Sequence, residues 1–78
     1  MPKVVIANLS DEPRKVAIEP WADVEILPPQ KRFEIEYGEP ADLAFALMDQ
    51  NTVSVSIMSE QVTVLGLQEK RTYVNKGY

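Results

Sequence analysis

Apolar and charged positions alternate most regularly between Val16 and Tyr37, VAIEPWADVEILPPQKRFEIEY. Val24 and Ile26 alternate with Asp23 and Glu25. Beyond the break at Pro28-Pro29, Phe33, Ile35 and Tyr37 alternate with Arg32, Glu34 and Glu36. A period of two predicts two strands, each burying one face and wetting the other. The same rhythm recurs along the chain. Lys3 to Leu9 reads as a first strand, with Val4, Ile6 and Asn8 on one face and Val5, Ala7 and Leu9 on the other. Two apolar faces call for cover on both sides, or for exchange into a partner. Asn8 to Pro13 is turn chemistry. Arg14 to Glu19 is a second strand with Val16 and Ile18 inward, ended by Pro20, which cannot donate to a ladder.

Leu43 to Met48 and Thr52 to Ile57 predict a hairpin that faces Leu47 to Val53, Phe45 to Val55 and Leu43 to Ile57. Asp49-Gln50-Asn51 is then a three-residue loop, with Asn51 expected in the left-handed position. Val62 to Leu67 continues the meander. Val62 and Val64 join the core face, and Gly66 marks a bulge or a close backbone approach. Gln68 to Arg71 reads as a polar turn, Thr72 to Asn75 as a last short strand, and Lys76 to Tyr78 as an exposed end. The one helical rival is Pro40 to Met48, with its three alanines. Seven to eight short strands at this spacing predict an all-β fold: a single small antiparallel β-sandwich or flattened barrel over residues 1–78.

Length and composition narrow the function. A 78-residue chain has a thin core and commonly needs a disulfide, a metal or a second subunit. The sequence holds no cysteine and no histidine. Zinc, type 1 copper, haem and imidazole-assisted nucleophiles therefore lose their usual groups. Oligomerisation is the support that remains, and no cofactor is expected. A net charge of −4 argues against nucleic acid and anionic membrane as partners. The N-terminus reads as neither a signal peptide nor a span. With no cysteine, a cytoplasmic location is the expectation.

Three turns carry a resemblance. Asn8 to Pro13 (NLSDEP), the Glu19-Pro20-Trp21 corner and Leu27-Pro28-Pro29 resemble small bacterial β-domains with an Asn-x-Ser/Thr-Asp turn, a Glu-Pro-Trp corner and a Leu-Pro-Pro-Gly turn. The resemblance covers about the first third of the chain, and Gln30 stands where those domains often have glycine. It implies an immunoglobulin-like or cupredoxin-like sandwich, without the cupredoxin metal ligands, and it implies no activity.

Candidate chemistry is sparse. Ser54, Ser56 and Ser59 have no imidazole to activate them. Glu34 and Glu36 stand roughly 6–7 Å apart on one strand face, a separation seen in glycoside hydrolysis. A chain this short builds little cleft around them, so the expectation is no enzyme. If Asp23 to Leu27 pairs with Arg32 to Tyr37 as a hairpin, Glu25 faces Glu34 and Asp23 faces Glu36, which is destabilising. Either the register shifts, the strands belong to different sheets, or Asp23, Glu25, Glu34 and Glu36 share a hard cation such as calcium.

Trp21, approached through Pro20, is expected to plug one end of the core, with an interface or a ligand platform as alternatives. Parity assigns Phe33, Tyr37 and Phe45 to core faces, leaving Trp21, Tyr73 and Tyr78 for sugar rings. The second face of the Leu43 to Leu67 meander carries Ala44, Ala46, Met48, Thr52, Ser54, Ser56, Thr63, Leu65 and Leu67, none of them charged. Such a face invites a second subunit. The leading expectation is a non-enzymatic structural or protein-interaction module that self-associates. The alternative is a small-ligand domain that binds carbohydrate or a divalent cation.

Overall fold

The computed structural model describes residues 1–76; Gly77 and Tyr78, part of the expected exposed end, lie outside the described residues. Eight strands and no helix are formed among them: β1 (Lys3–Ala7), β2 (Arg14–Glu19), β3 (Asp23–Leu27), β4 (Arg32–Tyr37), β5 (Asp42–Leu47), β6 (Thr52–Met58), β7 (Gln61–Leu65) and β8 (Lys70–Val74). The alanines of β5 are thus extended rather than helical. Among the described residues no helix is long and apolar enough to cross a membrane.

The strands make two four-stranded sheets in a sandwich-like arrangement, not a closed barrel. One has the order β1-β4-β7-β8 and the other β3-β2-β6-β5. Every pairing is antiparallel except the central one of the second sheet, where β2 runs parallel to β6 with Val16 beside Val53 and Ile18 beside Val55. An all-antiparallel fold was expected from the sequence. The parallel pair arises because the chain leaves the sheet after β3 and returns only at β5. Nine side chains form the shared core: Val16, Ile18, Leu27, Phe33, Ile35, Val55, Ile57, Val62 and Val64.

The β5–β6 hairpin has the expected register, Leu47 to Val53 through Leu43 to Ile57. Its loop differs in one respect. Asn51 is not left-handed; among the described residues only Ala22 and Gln30 have positive φ outside glycine. The Asp49 carboxylate accepts the Asn51 N–H at 2.7 Å, so a side chain closes the turn without a left-handed residue. Asn51 instead fastens the loop to β2: its carbonyl accepts the Lys15 N–H and its Oδ1 accepts from Arg14.

The Asp23–Leu27 and Arg32–Tyr37 strands do not form a hairpin. β3 pairs with β2, while β4 pairs with β1 and β7. The corner between them is the Pro28-Pro29-Gln30-Lys31 turn, in which the Lys31 N–H donates to the Pro28 carbonyl and Gln30 adopts φ 63°. Gln30 thus takes the conformation that glycine commonly fills. Asn8 holds the corner in place. Its Nδ2 donates to the Leu27 carbonyl at 2.9 Å, its carbonyl accepts the Gln30 N–H, and its N–H donates to the Lys31 carbonyl.

β1 is covered on one face only. Val4 and Ile6 pack against the core, while Val5 and Leu9 are exposed, so the expectation of cover on both sides is not met. The Leu43–Leu67 meander is likewise not a single sheet, because β6 and β7 lie in opposite sheets.

Candidate functional site

Two features stand apart from the aliphatic core. The first is a polar cluster where β3 and β8, edge strands of opposite sheets, meet. On β3 the inward residues are Asp23, Glu25 and Leu27, while Val24 and Ile26 face solvent. Alternation in the sequence predicts the opposite phase, and Arg71 explains the reversal. From β8 its Nε donates to Asp23 Oδ2 at 2.7 Å and its Nη2 to Glu25 Oε1 at 2.8 Å. A guanidinium fork can bond two carboxylates at once, which makes their burial tolerable. The side chains of Arg71 and Asp23 are each 21% exposed and that of Glu25 is 9% exposed.

Tyr73, two residues along β8, donates its hydroxyl to the same Asp23 oxygen at 2.5 Å. Its ring stacks on Trp21 with centroids 5.1 Å apart and 21° between planes. Trp21 is therefore half-buried against the core edge, and one ring face is taken by Tyr73. Tyr73 is correspondingly not free for a ligand, and Tyr78 lies outside the described residues. Gly66 completes the cluster. A Cβ there would stand 2.6 Å from Glu25 Oε1 and 2.9 Å from the Glu69 carbonyl, so the expected close backbone approach is present.

One guanidinium faces two carboxylates, so hydrogen bonds as well as charge pairing hold the acids in place. Burial raises the Asp23 pKa, but the bonds from Tyr73 and Arg71 together outweigh it and hold the carboxyl below its ordinary range. The bond to Asp23, with burial, pushes the Tyr73 hydroxyl up. The bond to Glu25, working against desolvation, raises Arg71. A carboxylate already accepting from a guanidinium and a phenol has little capacity left as a general base. The arrangement latches the two sheets together.

The four acids expected to share a cation are divided between the sheets. Asp23 and Glu25 face Arg71 from β3, whereas Glu34 and Glu36 lie on β4, with Glu34 3.2 Å from Lys3 Nζ. Among the described residues no group of three or more acids is placed to hold a metal ion. The like-charge conflict in the hypothetical hairpin is resolved by separating the strands.

The second feature is β5, exposed at all six of its positions. Leu43, Phe45 and Leu47 continue the core face of their sheet beyond the reach of the opposite sheet, leaving Phe45 58% and Leu47 85% exposed. Their assignment to the core face holds; their expected burial does not. At the open end, Ile6, Leu27, Leu47 and Val53 line a cleft of about 270 Å³ rimmed by Arg14, Lys15 and Asn51.

Of the residues expected at an interface, Ala44, Ala46, Met48, Thr52, Ser54 and Ser56 share the outer side of the β5–β6 hairpin, with Ser54 buried there. Leu65 lies on β7 in the other sheet and Leu67 follows it, so neither extends that surface. Thr63, also on β7, faces Thr72 across the strands at 3.3 Å. The polar cluster was not readable as a unit, since Arg71 falls in what reads as a polar turn. Comparison with protein-family models, curated proteins and solved structures finds no match.

Proposed function

We propose that this chain is a non-enzymatic interaction or structural module that self-associates. The observation carrying this reading is the exposure of β5 on both faces along its whole length. A strand that shows water Leu43, Phe45 and Leu47, with exposed Met48 just beyond its end, presents an apolar surface of the kind that marks association sites. In the same reading the fold is a small β-sandwich, immunoglobulin-like or cupredoxin-like, supported by two four-stranded sheets sharing one core. It works in the cytoplasm without a cofactor, and the partner is a second copy of the chain or another protein. The polar cluster supports a structural role because its acids are paired with Arg71 and its tryptophan with Tyr73. Sedimentation equilibrium at tens to hundreds of micromolar tests the proposal. The expected result is a dimer or larger species; a monomer mass throughout that range refutes it.

A further inference from the structure

The strand Leu43-Ala44-Phe45-Ala46-Leu47 reads the same in both directions. We infer that β5 pairs antiparallel with β5 of a second copy about a two-fold axis at Phe45, joining the two β3-β2-β6-β5 sheets into one of eight strands. The inference rests on the self-association reading and specifies its geometry.

Backbone direction supports it. The Met48 N–H donates to the Thr52 carbonyl at 2.9 Å, which continues by one residue the register that ends with Leu47 opposite Val53. Hydrogen-bonded and non-bonded pairs alternate in an antiparallel ladder. Ala46 and Ala44 therefore bond inward to β6, and the N–H and C=O groups of Leu43, Phe45 and Leu47 point to the open edge. In the palindromic register each Leu43 opposes a Leu47, each Ala44 an Ala46, and the two Phe45 oppose each other. No charged residue lies directly opposite another along the strand.

β8 is guarded by Lys70 and Arg71 and β3 by its inward acids and Pro28, whereas β1, like β5, carries one charged residue, its first, and is preceded directly by Pro2. Charge and proline at edges prevent pairing, and within β5 only its first residue, Asp42, is charged. The exposed parts of Leu43, Phe45, Leu47 and Met48 amount to on the order of 500 Å² per subunit, of which edge pairing covers the sides next to the new strand, so the contact is smaller than the about 800 Å² a standard interface buries on each side and leans on strand hydrogen bonds. A two-fold contact also closes at two copies, whereas pairing β5 with β3 of another copy leaves a free edge at each step and builds a ring or an open filament.

Because the chain has no cysteine, single cysteines report the register directly. Phe45→Cys would place two sulfur-bearing residues opposite each other with Cα atoms about 5.5 Å apart, within disulfide reach. Leu43→Cys would sit about 14 Å from its own copy and should not cross-link alone. Mixed with Leu47→Cys it should give the mixed disulfide. Mild oxidation read on non-reducing gels, with circular dichroism to verify folding, should show this pattern. A parent that sediments as a dimer while Phe45→Cys fails to cross-link, or while Leu43→Cys cross-links equally well alone, overturns the register and leaves self-association standing. A monomeric parent overturns both and leaves the edge to a strand from a different protein.

Discussion

Replacing Arg71 with Met tests the latch between the sheets. The change keeps the aliphatic stem and removes the fork that bonds Asp23 at 2.7 Å and Glu25 at 2.8 Å. Removing one partner of a fully buried pair costs about 3–5 kcal/mol. Exposed pairs contribute about 0.2–1 kcal/mol. The exposures of Arg71 and Asp23 (21% each) and of Glu25 (9%) place the cluster between these limits, so a loss of about 2 kcal/mol is expected. A domain of this size has roughly 4–12 kcal/mol in total, and each kcal/mol moves its melting temperature by about 4–8 °C. The variant should therefore melt about 8–16 °C below the parent in circular dichroism at neutral pH. Adding Asp23→Asn and Glu25→Gln to Arg71→Met should recover part of the loss, because the unpaired carboxylates are then gone. A single variant that melts within about 2 °C of the parent would show that the cluster contributes no more than a surface ion pair.

Gly66→Ala would force a methyl to within 2.6 Å of Glu25 Oε1 and 2.9 Å of the Glu69 carbonyl. The urea midpoint should drop by the equivalent of about 1–3 kcal/mol, and an unchanged midpoint would mean that the β7–β8 turn yields freely. Stability should also fall at both ends of the pH scale. Asp23 has its folded pKa lowered from 3.8, so its contribution is present above that value and disappears as acid protonates the folded carboxyl. Tyr73 has its folded pKa raised from 10.0, so its contribution is present below that value and disappears as base ionises the folded phenol. Tyr73→Phe should flatten the alkaline limb of the melting profile; a limb of unchanged slope would locate the alkaline loss elsewhere.

What could be read from the sequence was whatever is local. The register of the β5–β6 hairpin is correct to the residue because only four residues, Met48 to Asn51, separate its strands and both carry the same apolar face. The corner at Pro28 to Lys31 looks equally local, yet it moves the chain from one sheet to the other, since Asn8, far away in sequence, binds both of its flanks. The facing acids of the rejected hairpin left three outcomes open, and the observed one puts β3 and β4 in different sheets. The phase of β3 was hidden because apolar residues occupy both of its faces, Val24 and Ile26 on one and Leu27 on the other. Which face turns inward depends on Arg71, distant in the chain and without a local signature. Burial on β5 could not be judged from alternation, which assigns a face but not the extent of the sheet opposite.

The parallel seam between β2 and β6 affects how the chain reaches this fold. Lys15 to Glu19 must find Thr52 to Ser56 before the two local hairpins of that sheet, β2–β3 and β5–β6, become one surface. Closing a loop of roughly 40 residues costs entropy before any contact rewards it, which slows folding. At about 5–20 residues per second, a nascent chain would wait a few seconds between the emergence of β2 and that of its neighbour. During that interval the first half exposes Val16 and Ile18 without their partners. A fragment ending before β6 would inherit that exposure permanently, however well its own hairpin formed.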